Sequence, residues 1–145
     1  MKKFLVFVLW VTGAALSSAG SALGADTAAD AAQVKLQASS AADLRNSAAG
    51  AVGHKPSNIE VKSTAHQITI TVVNSKLNSG VAADRTGAVS KIVSAIERAI
   101  AGKTEFGQVM VTHVDYVKRL ESRTSLVQGF DFYKTPAGSF VLHKT

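Results

Sequence analysis

The hydrophobic and polar positions of this chain follow two periods, one typical of helices and one typical of strands. The clearest helical pattern is an apolar stripe at positions i, i+3, i+4, i+7 and i+11, formed by Val89, Ile92, Val93, Ile96 and Ile100. Polar residues occupy the opposite side, and Gly102 follows where a C-terminal cap is expected. The stripe therefore predicts an amphipathic helix lying on a sheet. Gly87 weakens its first turns, and either Ser79 or Asp84 is suited to cap it.

A weaker helical pattern comes earlier in the chain. Small and apolar residues recur at helical spacing across Val34–Ala49, and Gly50, Gly53 and Pro56 are expected to end the helix. The preceding segment is rich in alanine, which favours a helix but buries little surface. Residues 26–33 are therefore expected to fray.

Alternation with a period of two predicts the strands. Asn58–Ser63 and His66–Asn74 alternate apolar with polar residues and are separated by only Thr64 and Ala65, which indicates a hairpin. Three further strands are predicted at about Gln108–Lys118, Arg123–Lys134 and Ser139–Lys144. The order is α-β-β-α-β-β-β. It predicts an α+β fold of two layers, with both helices packed on one face of an antiparallel sheet.

The N-terminus has the three parts of an export signal. Lys2 and Lys3 precede an apolar run over residues 4–16, and small residues follow up to Ala25. An uncleaved membrane anchor is the competing interpretation, but a spanning helix needs about 20 mainly apolar residues and this run is shorter. We therefore expect residues 1–25 to be a cleavable signal peptide, with cleavage after Ala22 as an alternative site. Residues 26–145 would then be one small exported domain without a transmembrane anchor, periplasmic in a Gram-negative cell and otherwise secreted.

Composition and charge exclude several kinds of site and make one class of partner unexpected. The chain contains no cysteine, which excludes disulfides, cysteine zinc sites, thiol nucleophiles and a lipoprotein anchor. The net charge is +6, and two of the lysines lie in the predicted signal. The remaining basic residues are scattered and are not interleaved with stacking aromatics, so nucleic acid is not an expected partner. Binding to anionic lipid or polysaccharide surfaces is a less favoured hypothesis.

Catalytic signatures for serine hydrolases, zinc proteases and nucleotide-binding loops do not occur in the sequence. One constellation stands out in the predicted hairpin of the third and fourth strands. A turn centred on Glu121 would place three pairs opposite one another: Met110 with Phe132, Thr112 with Phe130, and Tyr116 with Leu126. This register gathers the large apolar side chains, including Val114, beneath the second helix. It sends His113, Asp115 and Asp131 to the other face, with Asp131 diagonal to His113.

One imidazole and two carboxylates are suited to hold a divalent metal or to act as an acid/base pair. The more ordinary interpretation of His113, Asp115 and Asp131 is a solvated sheet face with a histidine–aspartate contact. We accordingly assign no catalytic, cofactor or metal residue, and expect Tyr133 to be exposed while Phe130 and Phe132 join the core. The sequence predicts a non-catalytic binding domain whose ligand or envelope partner it does not specify. A small metal-dependent or acid/base hydrolase built on the His113 face is the alternative.

Overall fold

The computed structural model describes residues 40–143, so the predicted signal peptide, residues 26–33 and the first six residues of the helix predicted over Val34–Ala49 lie outside the described residues. Two α-helices and five strands follow the predicted order, which confirms the α+β class. The elements are α1 (residues 40–52), β1 (Ile59–Ser63), β2 (Gln67–Val73), α2 (Ala82–Ile100), β3 (Val111–Leu120), β4 (Arg123–Lys134) and β5 (Phe140–Leu142). Short 3-10 turns occupy Pro56–Asn58, Lys76–Ser79 and Thr104–Phe106.

The strands form one sheet in the order β1-β2-β3-β4-β5. Three of the neighbouring pairs are antiparallel, as predicted, but β2 and β3 run parallel, so the sheet is mixed. The cause is the connection between them. The chain leaves the end of β2, passes through α2 and enters β3 beside β2, and such a helical crossover joins parallel strands.

Both helices bury apolar residues in one core on the same side of the sheet, which we call the inner face. Leu44 of α1 and the whole predicted stripe of α2 are buried. From the sheet they meet the alternating inward residues of β2, β3 and β4, namely Ile68, Ile70, Val72, Val114, Tyr116, Phe130 and Phe132. The other side of the sheet, here the outer face, carries the polar members of the same alternation. None of the helices in the described part of the chain combines the length and apolar character needed to cross a bilayer.

The helix ends differ from the prediction by a few residues. Helix α1 passes through Gly50 and ends at residue 52. Gly53 follows it with a φ of +64°, which suits glycine, and the amide of His54 donates to the carbonyl of Ala49 at 2.9 Å. Helix α2 begins at Ala82 after Val81, and neither Ser79 nor Asp84 caps it with a side chain.

The β3–β4 hairpin has a different register from the predicted one. Glu121 and Ser122 form a two-residue turn, since Leu120 pairs with Arg123. Farther from the turn, Val127 has no partner, because the register shifts between Tyr116 and Val117. Relative to the predicted register, the turn shifts the pairing by one residue and the bulge shifts it by one more.

The consequence is that the predicted opposed pairs are wrong but the predicted faces are largely right. Thr112 lies opposite Phe132 rather than Phe130, a shift of two residues, which keeps the same side chains on the same face. Two residues that the register assigned to the core are exposed: Met110 precedes β3, and Leu126 lies between the turn and the bulge, where only one of the two shifts applies.

Candidate functional site

The hairpin brings His113, Asp115 and Asp131 together on the outer face, and we call these residues the His113 cluster. Asp131 lies directly opposite His113, not diagonal to it as the sequence suggested. The imidazole makes two contacts, with Nδ1 2.5 Å from Oδ1 of Asp131 and Nε2 2.9 Å from Oδ1 of Asp115. A carboxylate therefore holds each ring nitrogen.

Local strand geometry explains how one ring reaches both carboxylates. His113 and Asp115 are two residues apart on β3 and so share a face, while Asp131 is the cross-strand neighbour on β4. The residue opposite Asp115 is Gly129. A β-carbon at position 129 would lie 3.0 Å from Oδ1 of Asp115 and 3.5 Å from Cε1 of His113. The missing side chain leaves the space in which the ring and the Asp115 carboxylate meet.

The two carboxylates favour the charged form of His113. Partial burial by itself lowers the pKa of His113, but the hydrogen bonds and the negative charges of Asp131 and Asp115 outweigh it, so the pKa is raised above its usual value. Both ring nitrogens can donate to carboxylates only when both carry hydrogen, as in the imidazolium. The arrangement is thus one positive charge between two negative ones.

This geometry bears on the two chemical roles considered for the cluster. A general base needs a free ring nitrogen facing its substrate, and both nitrogens of His113 are engaged. Metal binding needs several ligand atoms directed at one point, and within residues 40–143 no group of three or more His, Asp or Glu side chains has that arrangement. What the cluster does offer is acceptor oxygen. Oδ2 of Asp115 and of Asp131 makes no hydrogen bond within the described part of the chain.

Hydroxyl groups and an aromatic ring lie beside the cluster on the same face. Thr69 of β2 is in register with His113, and Thr71 with Asp115. Tyr133 follows Asp131 by two residues on β4 and is 46% exposed, as the sequence predicts. Its ring meets that of His143 edge to face, with 5.2 Å between the centroids. The outer face therefore combines acceptors, hydroxyls and an exposed ring on a rigid sheet.

No family model, curated protein or solved structure matches this chain. The geometry of the described residues therefore carries the functional argument.

A second polar cluster, which the sequence analysis missed, lies under the inner face around Arg85. This side chain is 9% exposed, and within the described residues no carboxylate forms an ion pair with it. Its Nε donates to Oε1 of Gln128 at 2.7 Å, and Nη1 donates to the carbonyls of Leu77 and Gly80 at 2.7 and 2.9 Å. Arg85 thus ties the start of α2 to the preceding loop and to β4. The helical spacing in the sequence indicates this burial, since residue 85 lies four positions before Val89 and therefore extends the buried stripe of α2.

Tyr116 belongs to the same inner region. Its hydroxyl is buried and makes no hydrogen bond within the described part of the chain. Burial raises the pKa of Tyr116 to about 12, although the nearby positive charge of Arg85 acts in the opposite direction. The phenol is therefore neutral in the folded protein at ordinary pH and serves as a core residue.

An ion pair crosses the other end of the outer face. Arg119 on β3 reaches over β2 to Glu60 on β1, with Nη1 to Oε1 at 2.6 Å and Nη2 to Oε2 at 3.2 Å. This two-bond contact lowers the pKa of Glu60. The Arg119–Glu60 ion pair covers the end of the outer face that lies farther from His113. The uncovered part of this face is therefore centred on the His113 cluster and Tyr133.

Proposed function

We propose that this protein is an exported, non-catalytic domain. Its outer sheet face binds a ligand rich in hydroxyl groups, such as a saccharide. The observation that carries the proposal is the pairing of each ring nitrogen of His113 with a carboxylate. It leaves further carboxylate oxygens exposed beside Tyr133.

The pairing favours binding over catalysis. A ring that donates from both nitrogens holds Asp115 and Asp131 in place, but it has no lone pair to accept a proton from a substrate. The side chains of the cluster are a quarter to a half exposed, with relative accessibilities of 27% for His113, 24% for Asp115 and 45% for Asp131. A ligand can reach them without a conformational change.

The chemistry of the face indicates the class of ligand. Free carboxylate oxygens accept hydrogen bonds, and the cluster with one imidazolium and two carboxylates carries one net negative charge, which disfavours anionic groups. An exposed tyrosine ring offers a flat apolar surface with a polar tip, against which the C–H face of a sugar ring packs well.

Titration of neutral oligosaccharides into isotope-labelled protein tests the proposal by NMR. We expect chemical-shift changes confined to residues on the outer face of β3 and β4. Tyr133→Ala or Asp131→Asn should weaken binding about tenfold or more. Glu121→Ala, at the exposed hairpin turn, is the matched control and should bind normally. Shift changes elsewhere, or none at all across the panel, would reject the outer face as a saccharide site.

The triple variant His113→Ala, Asp115→Ala, Asp131→Ala separates binding from the hydrolase alternative. We expect it to fold and to lose ligand binding, since the three side chains lie on a solvated face. A stoichiometric, tightly held metal in the parent protein that disappears in this variant would instead support the metal-dependent hydrolase.

Export is a separate component of the proposal, supported by the N-terminal sequence alone. The processed chain should start at Asp26, or at Leu23 if cleavage follows Ala22, as intact mass will show. Trp10 is the single tryptophan and lies in the predicted signal, so the processed protein should show tyrosine emission only. A mature product that still contains Trp10 would contradict the signal peptide.

A further inference from the structure

A cavity of about 410 Å³ lies beside the C-terminal end of α2. It is lined by the last turn of this helix, by the 3-10 turn that follows it, and by the β4–β5 hairpin. Its volume falls within the range of about 300–1,000 Å³ that is typical of small-molecule sites. No residue of the His113 cluster lines it, so it is separate from the proposed saccharide site.

The apolar part of the cavity wall is built from core residues. Ile100, Phe106 and Phe140 line the cavity, and each is at most 8% exposed because its other side packs in the core. An apolar group that enters the cavity therefore exchanges water for contact with side chains that are already fixed in place.

Two side chains of opposite charge, Glu97 and Lys134, line the same cavity. Oε1 of Glu97 accepts a hydrogen bond from the amide of Phe140, while its Oε2 accepts none within residues 40–143. The ammonium of Lys134 lies 6.0 Å from the centroid of the Phe140 ring. Neither charge forms an ion pair within the described part of the chain. Lys103, the other lysine that lines the cavity, is instead 3.5 Å from a carboxylate oxygen of Asp43.

The end of α2 adds a further negative contribution on the side of Glu97. Ile100 is the last residue of this 19-residue helix, and Ala101 and Gly102 continue the cavity wall beyond it. The C-terminal end of a helix carries a partial negative charge from its unpaired carbonyls and favours a cation. One side of the cavity therefore attracts a positive group, while Lys134 attracts a negative one.

We propose that this cavity binds a free α-amino acid with an apolar side chain. Its ammonium group contacts Oε2 of Glu97 at the end of α2, its carboxylate contacts Lys134, and its side chain packs against Phe106 and Ile100. A ligand with a single charge fits less well. A simple anion meets the like charge of Glu97, and a simple cation meets that of Lys134, whereas a zwitterion compensates both.

Titration of L-leucine and L-phenylalanine into isotope-labelled protein, up to about 10 mM, tests the proposal by NMR. We expect shift changes at the amides of Ile100, Phe106 and Phe140 and none on the outer face of β3 and β4. N-acetyl-leucine lacks the ammonium and leucinamide lacks the carboxylate, so each should bind about tenfold or more weakly than leucine.

Two variants test the charged contacts. Glu97→Gln keeps an oxygen for the amide of Phe140 but removes the charge, and Lys134→Gln removes the ammonium. Each should raise the dissociation constant for leucine about tenfold or more. Glu105→Gln and Lys118→Gln are the matched controls, since both residues are exposed and neither lines the cavity; they should bind leucine normally.

Three results would overturn the proposal: no binding of either amino acid, shift changes away from the cavity, or equal affinity for leucine and its two blocked forms. None of them bears on saccharide binding, which is read from the outer face. Loss of saccharide binding with retained leucine binding would likewise reject only the proposed function.

Discussion

The carboxylate of Asp115 lies over Gly129 on the neighbouring strand, with its Oδ1 3.0 Å from the position of a β-carbon on residue 129. The contact between His113 and Asp115 thus depends on the absence of a side chain across the hairpin. Glycine in a strand normally weakens it, and its presence here gives the His113 cluster its space.

Gly129→Ala should therefore displace the Asp115 carboxylate from Nε2 of His113. The backbone at residue 129 accepts alanine, since its φ is not in the left-handed region. We expect the pKa of His113 to fall toward its ordinary value, which an NMR pH titration of the imidazole will measure. Gly87→Ala is the control: it meets no atom within 4 Å, should leave the His113 titration unchanged, and should stabilise α2 by up to about 1 kcal/mol. An unchanged titration in Gly129→Ala would mean that Asp115 has little influence on His113.

The raised pKa of His113 makes the stability of the protein depend on pH in a defined direction. Between the ordinary value near 6.5 and the raised folded value, the folded state binds more protons than the unfolded state. The stabilisation is therefore complete below about pH 6.5 and is lost as the pH rises through the folded pKa. Urea unfolding at pH values from about 6 to 9 should show decreasing stability in the parent protein. His113→Gln should flatten that dependence, and an equally steep loss in this variant would assign the effect to another group.

Helix α2 should depend strongly on its buried stripe. Ile96 is completely buried in the core, so Ile96→Ala should lower the free energy of unfolding by about 2–5 kcal/mol. Lys91 is exposed on the same helix, and Lys91→Ala should change it by no more than about 0.5 kcal/mol. Denaturant unfolding of the two variants checks the difference. Small and equal effects would mean that α2 is not docked through this stripe.

Arg85 should be the most sensitive polar residue of the inner side. Arg85→Ala removes the donors to Gln128 and to the carbonyls of Leu77 and Gly80. Since it leaves partly buried acceptors without partners, we expect a loss of about 2–3 kcal/mol in denaturant unfolding. Arg98→Ala removes an exposed guanidinium from the same helix and should cost no more than about 0.5 kcal/mol. A similar small cost for both would show that the loop tolerates water at these carbonyls.

The features that the sequence predicted are those governed by local periodicity. A period near 3.6 identified the buried side of α2, and a period of two separated Phe130 from Asp131. The predicted bounds of β4 agree with the structure, and the His113 cluster was placed on one face. This placement survived a wrong register because the error was two residues, and an even shift does not exchange the faces of a strand.

The tertiary structure decided the features that depend on which strands meet and how the chain turns between them. The crossover through α2 makes β2 and β3 parallel, while the tight turn and the bulge at Val127 place Asp131 directly opposite His113. The space over Gly129 and the burial of Arg85 follow from the same packing. Periodicity reports only the side of an element on which a residue lies. Its partner across the sheet is set by turn length, bulges and core packing, which act between residues far apart in sequence.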